Sequence, residues 1–193
     1  LKRDHKQYQI LISGVGGQGV LFITRLLAEA AIGKDMSVFT SETHGMAQRG
    51  GTVVSHLKVG SFTSPLIIPG EADGLVALKA ENVAQHGDYL RPGAWAVVNS
   101  AEAIDVQNRF SIHRCDADRL SREIGNPRAL NLIVLGFLLA CTAGGGAACP
   151  ELFCSLDDIR SVLDKRLAGK APLLQASNRA LEAGSGGAIE LWR

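Results

Sequence analysis

Between Ser41 and Thr52 the chain gathers Glu42, Thr43, His44, Gln48, Arg49 and the pair Gly50-Gly51. Each has a distinct chemical use. The imidazole of His44 can move protons near neutral pH. The Arg49 guanidinium can clamp a carboxylate or phosphate through two parallel hydrogen bonds. Gln48 can meet an amide or carbonyl, and two adjacent glycines let backbone N–H groups approach a ligand closely. No nucleophile adjoins His44 and no second base stands beside it. The set therefore reads as a binding or interface loop rather than a complete catalytic centre. The plainer use of the same residues is structural: His44 at a strand end, Arg49 paired with Glu42, and the loop docked on a partner.

A second cluster lies upstream, at Gly14-Val15-Gly16-Gly17-Gln18-Gly19. Glycines at this spacing between a strand and a helix make an anion cradle, because the helix N-terminus supplies free N–H groups and partial positive charge. Glu42 follows at about the 20-residue distance of a ribose-binding acid. From chemistry alone, NAD or FAD is one reading. Glycines that only allow a tight turn and close helix–sheet packing are the other.

The elements that position these groups follow from periodicity. Gln9–Ser13 is a short apolar run suited to a buried strand. Residues 18–31 form an amphipathic helix, with Val20, Ile23, Leu27, Ala30 and Ala31 on one face, Arg25 and Glu29 paired on the other, and Gly33 as the stop. Ser37–Thr40 and Thr52–Val59 are strands flanking the polar loop. Further strands are expected over 74–78, 94–99 and 109–114, with short helices over 81–86 and 116–124. Asn126-Pro127 opens a helix that is apolar nearly all round. Ser155 and Asp158 form a capping box for a helix to Leu167. Pro172 opens a last helix to about Ala183, with Gly184–Gly187 as a flexible tail whose Ile189, Leu191 and Trp192 could dock. Strands alternating with helices give an α/β fold. The expectation is a three-layer α/β/α domain over 1–184 with a tail over 185–193. Its sheet is largely parallel, open to a mixed arrangement, and its first β-loop-α-β unit is Rossmann-like.

Composition narrows the function. The net charge of +1 argues against a nucleic-acid binder. The charge-free run from Ala129 to Pro150 is broken by Gly144–Gly146, leaving about 14–16 helical residues where a membrane span needs about 20. The four cysteines, Cys115, Cys141, Cys149 and Cys154, include no C-x-x-C pair, against a zinc ribbon or a bacterial-type cluster run. No apolar leader precedes the first strand, so a cytoplasmic setting with reduced thiols is expected. Cys141 reads as an apolar filler, and Lys79 and His86 as solvated helix residues. Asn131, on the apolar helix, needs a buried partner such as the backbone near the glycine loop.

Taken together, Gly14–Val20, Ser41–Gly51 and Ser55-His56 resemble the gamma subunit or gamma domain of the 2-oxoacid:ferredoxin oxidoreductases. Within that family the loop is most similar to the indolepyruvate oxidoreductase beta subunits. Asn131 with Leu135-Gly136, and Asn178–Leu181, are similar to later family blocks. The resemblance implies oxidative decarboxylation of an aryl pyruvate or pyruvate-like 2-oxoacid to acyl-CoA and CO2, with electrons passed to ferredoxin. It places thiamine diphosphate and iron–sulfur clusters in partner chains and implies no cofactor held by this chain alone. The glycine loop then becomes an anion site for coenzyme A rather than for NAD. Gly14, Gly16, Gly17, Gln18, Gly19, Glu42, Thr43, His44, Gln48, Arg49, Gly50 and Gly51 become ligand or interface residues. A self-contained NAD(P)- or FAD-dependent oxidoreductase and a purely structural scaffold are the alternatives.

Overall fold

The computed structural model describes residues 6–44, 51–105, 109–143 and 151–191. The apolar run that begins the chain becomes β1 (Tyr8–Val15), and it lies inside the sheet. β1 pairs with β4 (Ala72–Ala77) in parallel and with β3 (Thr52–Val59) antiparallel. β2 (Val38–His44) adds to the far side of β3, and β5 (Leu90–Asn99) and β6 (Ser111–Cys115) extend the other side. The order is β2-β3-β1-β4-β5-β6, with β3 alone opposing the direction of the other five. The sheet is thus mixed and mostly parallel.

Two sequence expectations change here. Ser41–His44 are not loop but the second half of β2, paired residue for residue with Val53–His56. Alternating Thr, Ser and Thr side chains suit a strand, and β3 supplies the ladder that the polar composition concealed. In addition, β3 is wedged between β1 and β2. A dinucleotide-binding unit sets its first two strands side by side. Here they are two strand spacings apart, roughly 10 Å.

One sheet face carries most of the helices. α1 (Val20–Ile32), α3 (Ala117–Glu123), α4 (Leu130–Ala143), α5 (Leu156–Arg166) and α6 (Ala171–Leu191) share one core with Ile10, Ile12, Leu57, Val59 and Val97. The other face is covered thinly, by α2 (Glu81–His86) and by the strap 60–71, through Val83 and Ile67. α1 buries the face expected of it and ends at Gly33. Glu29, however, takes its ion pair from Arg166 of α5 rather than from Arg25. The Ser155–Asp158 capping box is complete on both halves.

α4 is buried along nearly its whole length, and what covers it is α6. Pro127 starts a single 3-10 turn before α4, and Asn126 gives no side-chain cap. The expected flexible tail is instead helical: α6 continues through Leu191. The reason is close packing. A Cβ at Gly136 would strike the Leu181 carbonyl, and one at Gly184 the Ile133 carbonyl. These glycines are the contact points of two helices pressed backbone to backbone, not breakers. Trp192 lies outside the described residues, as do the side chains of Ile189 and Leu191.

Candidate functional site

The carboxyl ends of the five parallel strands and the amino end of β3 share one edge of the sheet. Both clusters singled out in the sequence arrive there. β1 runs into the turn Gly16–Gly19, which opens α1. Gln18 is the turn's internal staple: the Val15 N–H donates to its Oε1 at 2.7 Å, and its own N–H donates to the Val15 carbonyl at 3.0 Å. Its Oε1 is thereby committed to the turn.

The four glycines do different work. Gly14 serves packing, since a Cβ there would stand 2.9 Å from Val20 Cγ2 and 3.1 Å from Leu78 Cβ. Gly16 donates its N–H to the Gly51 carbonyl at 3.1 Å, which ties the glycine turn to the hairpin root. Gly17 sits at φ 94° with no atom of the described residues within 4 Å of a would-be Cβ, so the turn is open on their side. Gly19, at φ 83°, is the N-cap of α1 and offers no side-chain cap. The amino end of a thirteen-residue helix therefore faces the turn with its partial positive charge uncapped.

Asn131 completes this corner. It is buried on α4, and its Oδ1 accepts the Leu132 N–H at 2.9 Å. That bond fixes which end of the amide is which, and Nδ2 is pressed against Gly19, where a Cβ would overlap it. The sequence reading put Asn131 near the glycine loop, as found. The backbone group it bonds, however, belongs to its own neighbour.

On the hairpin, Glu42 and Thr43 are exposed on β2, opposite Ser55 and Val54. Glu42 shares the helix-side face with Ser55, and Thr43 shares the thin side with Val54. The intervening β3 takes Glu42 a further strand spacing from the glycine turn than a ribose-binding acid would be. His44 closes β2 opposite Val53. Gln48, Arg49 and Gly50 lie outside the described residues. The hairpin root is also held from α2. Thr52 Oγ1 donates to Gln85 Oε1 at 3.3 Å, and Asn82 Nδ2 donates to the same oxygen at 3.1 Å. Asn82 and Gln85 were not singled out in the sequence. Asn82 is a polar residue at a buried position of α2 beside Val83, and the composition of so short a helix does not announce it.

His86 also departs from its expected role. Rather than facing solvent, it turns inward with a buried Nε2 that meets no hydrogen-bond partner among the described residues. Lys79 is exposed, as anticipated. Among the cysteines, Cys115, Cys141 and Cys154 are buried, and Cys149 lies outside the described residues. Burial pushes the thiols of Cys115 and Cys154 up to about 12. Among the described residues no three His, Cys, Asp or Glu side chains converge as a metal site, and no helix is long and apolar enough to cross a membrane.

Comparison with known proteins bears on the whole chain. A family model described as pyruvate ferredoxin/flavodoxin oxidoreductase matches residues 9–186. The indolepyruvate oxidoreductase subunit IorB of Archaeoglobus fulgidus is 39% identical over 95 residues, which are 49% of this chain and 47% of that one. IorB of Thermococcus kodakarensis is 26% identical over an alignment covering 96% of this chain and 98% of that protein. Among solved structures, the 2-oxoglutarate:ferredoxin oxidoreductase of Magnetococcus marinus, with 2-oxoglutarate, coenzyme A and succinyl-CoA bound, superposes with a TM-score of 0.75 at 19% identity. The superposition covers 97% of this chain but 32% of that one, so the same fold occurs as a third of a longer polypeptide.

Proposed function

Because the chain belongs to the pyruvate ferredoxin/flavodoxin oxidoreductase family, we propose that it is the cofactor-poor subunit of a 2-oxoacid:ferredoxin oxidoreductase complex. In this reading the complex converts an aryl pyruvate or pyruvate-like oxoacid to acyl-CoA and CO2 and reduces ferredoxin. Thiamine diphosphate in a partner chain supplies the decarboxylation chemistry, and iron–sulfur clusters there carry the electrons. The chain works in the cytoplasm and contacts ferredoxin only through the complex. Likeness to IorB proteins supports an arylpyruvate substrate.

One observation carries the assignment of the site: the 3.1 Å hydrogen bond from the Gly16 N–H to the Gly51 carbonyl. It couples an open, electropositive helix terminus to the hairpin that bears His44, Gln48 and Arg49. An anionic ligand with a reactive end, such as coenzyme A, can be held by its phosphate at one and steered by the other. Gly17 leaves room for a phosphate, and the α1 N–H groups and Asn131 Nδ2 are donors of the correct sign. The hairpin then faces the partner's thiamine centre or the coenzyme A route. The separation of β1 from β2 weighs against NAD, since it removes Glu42 from the ribose position.

Replacing Arg49 with Ala in the assembled complex should slow acyl-CoA formation and raise the coenzyme A concentration needed for half-maximal rate, while subunit assembly is retained. Unchanged turnover and coenzyme A dependence would refute the role of the hairpin and favour a scaffold.

A further inference from the structure

The thin side of the sheet holds a buried imidazole that the proposed function does not use. His56 lies on β3 with only 5% of its surface exposed. Its Nδ1 accepts the Ile67 N–H at 3.2 Å. Ile67 is the inward residue of the strap 60–71, 3% exposed, between Leu66 at 51% and Ile68 at 58%. The strap covers this end of the sheet and is tied at both ends: Gln7 Nε2 donates to the Ser61 carbonyl at 2.5 Å, Gln9 Nε2 to the Glu71 carbonyl at 3.1 Å and the Gly70 N–H to the Asp88 carbonyl at 3.0 Å, so His56 acts on its middle. Beside the His56 bond, Lys58 Nζ donates to the Leu66 carbonyl at 2.7 Å and lies over the Phe62 ring at 4.8 Å.

We propose that His56 is an acid-sensitive latch for the middle of the strap: unprotonated at Nδ1 it holds Ile67 against the sheet, and a proton there turns the acceptor into a donor facing a donor, which frees the segment around Ile67 while the ends stay tied. The surroundings of the ring set the direction. His86 approaches from α2, Tyr89 packs edge-on at 5.9 Å from the turn before β5, and Lys58 lies on the same strand. The register partners Leu11 and Ser41 do not titrate near neutrality. No carboxylate stands among these groups to welcome an imidazolium. Burial first, then His86 and Lys58, hold the His56 pKa below the ordinary 6.5. His86 is lowered by burial as well.

The sign follows. A group whose folded pKa is depressed leaves the unfolded chain holding more protons. The contribution of the closed strap is complete above about pH 6.5 and is lost as the pH falls from there through the lowered value. Opening would uncover Ile67 and the apolar strip under it, Val54 included, beside the hairpin root.

The test is amide hydrogen exchange of the full chain from pH 7.5 to 4.5, read as protection factors for peptides spanning 60–71, with α4 peptides reporting global folding. Wild type should lose at least tenfold in strap protection on acidification while α4 stays protected. His56→Asn keeps an acceptor near the Nδ1 position without titrating, and its strap protection should not change with pH. His56→Leu should be open throughout. Strap protection in wild type that does not change with pH, or an Asn variant that loses protection as wild type does, would overturn the latch. Imidazole nitrogen shifts of wild type add a check independent of variant folding. Nδ1 must be the unprotonated nitrogen at neutral pH, and a protonated Nδ1 would overturn it equally.

Discussion

Substituting Gly19 with Ala tests whether the glycine turn is built as a ligand corner or merely as a turn. Two costs add at this position. At φ 83° an L side chain occupies the left-handed region, at about 1–2 kcal/mol. The new Cβ would also overlap Asn131 Nδ2, and overpacking of this kind costs about 1–3 kcal/mol. Gly19→Ala should therefore lose about 2–5 kcal/mol. Gly17→Ala at φ 94° meets no atom of the described residues within 4 Å and should lose only the backbone part, about 1–2 kcal/mol. The two terms separate in a double-mutant cycle. In an Asn131→Ala background the collision is gone, so Gly19→Ala should cost about 1–3 kcal/mol less than in wild type. Urea unfolding of the four variants, read as midpoint shifts at constant slope, measures this directly. Equal losses for Gly17→Ala and Gly19→Ala, with no coupling to Asn131, would refute the contact of α4 with the turn and the donor role that follows from it.

Other expectations rest on separate parts of the fold. Gly184→Ala forces a Cβ into the Ile133 carbonyl and should cost about 3 kcal/mol, whereas Gly186→Ala, two residues on and facing open space, should gain about 0.5–1 kcal/mol; thermal melts give opposite shifts if the α4–α6 contact is as described. Ser155→Ala removes the side-chain half of the capping box, the Oγ that accepts the Asp158 N–H, and leaves the backbone half; it should lower stability by about 1 kcal/mol in the same assay. Burial works against ionisation of Asp158, but bonds from Lys34 and Ser155 outweigh it and hold its pKa below 3.8. Its share of stability is present above that value and lost as the pH falls through the lowered one, and Asp158→Asn should flatten that part of the acid limb. Thiols raised to about 12 are ionised to roughly one part in ten thousand at pH 8. Cys115 and Cys154 should thus resist iodoacetamide in the native chain and react after unfolding, as peptide mapping by mass spectrometry would record.

Much of this was legible in the residues. The apolar run at 9–13, the amphipathic α1, the capping box at Ser155 and the buried α4 all carry local signals, and the structure forms each of them. So does the strand–glycine turn–helix sequence that gives the site its floor. What was not legible depends on partners distant in sequence. Ser41–His44 look like loop until β3 supplies their ladder. The place of β3 between β1 and β2 is set by hairpin pairing, which no pattern in α1 or β1 announces. Gly184–Gly187 look like a flexible tail until α4 is laid against Gly184, where the missing Cβ becomes a point of contact. His86 sits at the end of a short polar helix, and in the fold its ring turns inward beside Tyr89, 6.5 Å between centroids. On the site, the sequence marked Gly14–Gly19 and the hairpin residues. It did not show that Gln18 Oε1 accepts the Val15 N–H, or that Gln85, itself held by Asn82, meets Thr52.

The central claim is that this chain completes a 2-oxoacid:ferredoxin oxidoreductase through its glycine turn and hairpin. The direct measurement is anaerobic recovery of the chain with its co-purifying partners, followed by 2-oxoacid- and coenzyme A-dependent reduction of a viologen dye, for wild type and Arg49→Ala. The account predicts a thiamine- and iron–sulfur-bearing partner, dye reduction by wild type with an arylpyruvate among the accepted substrates, and an intact but slow variant complex. A chain that purifies alone, binds NAD and supports no oxoacid-dependent reduction would contradict it.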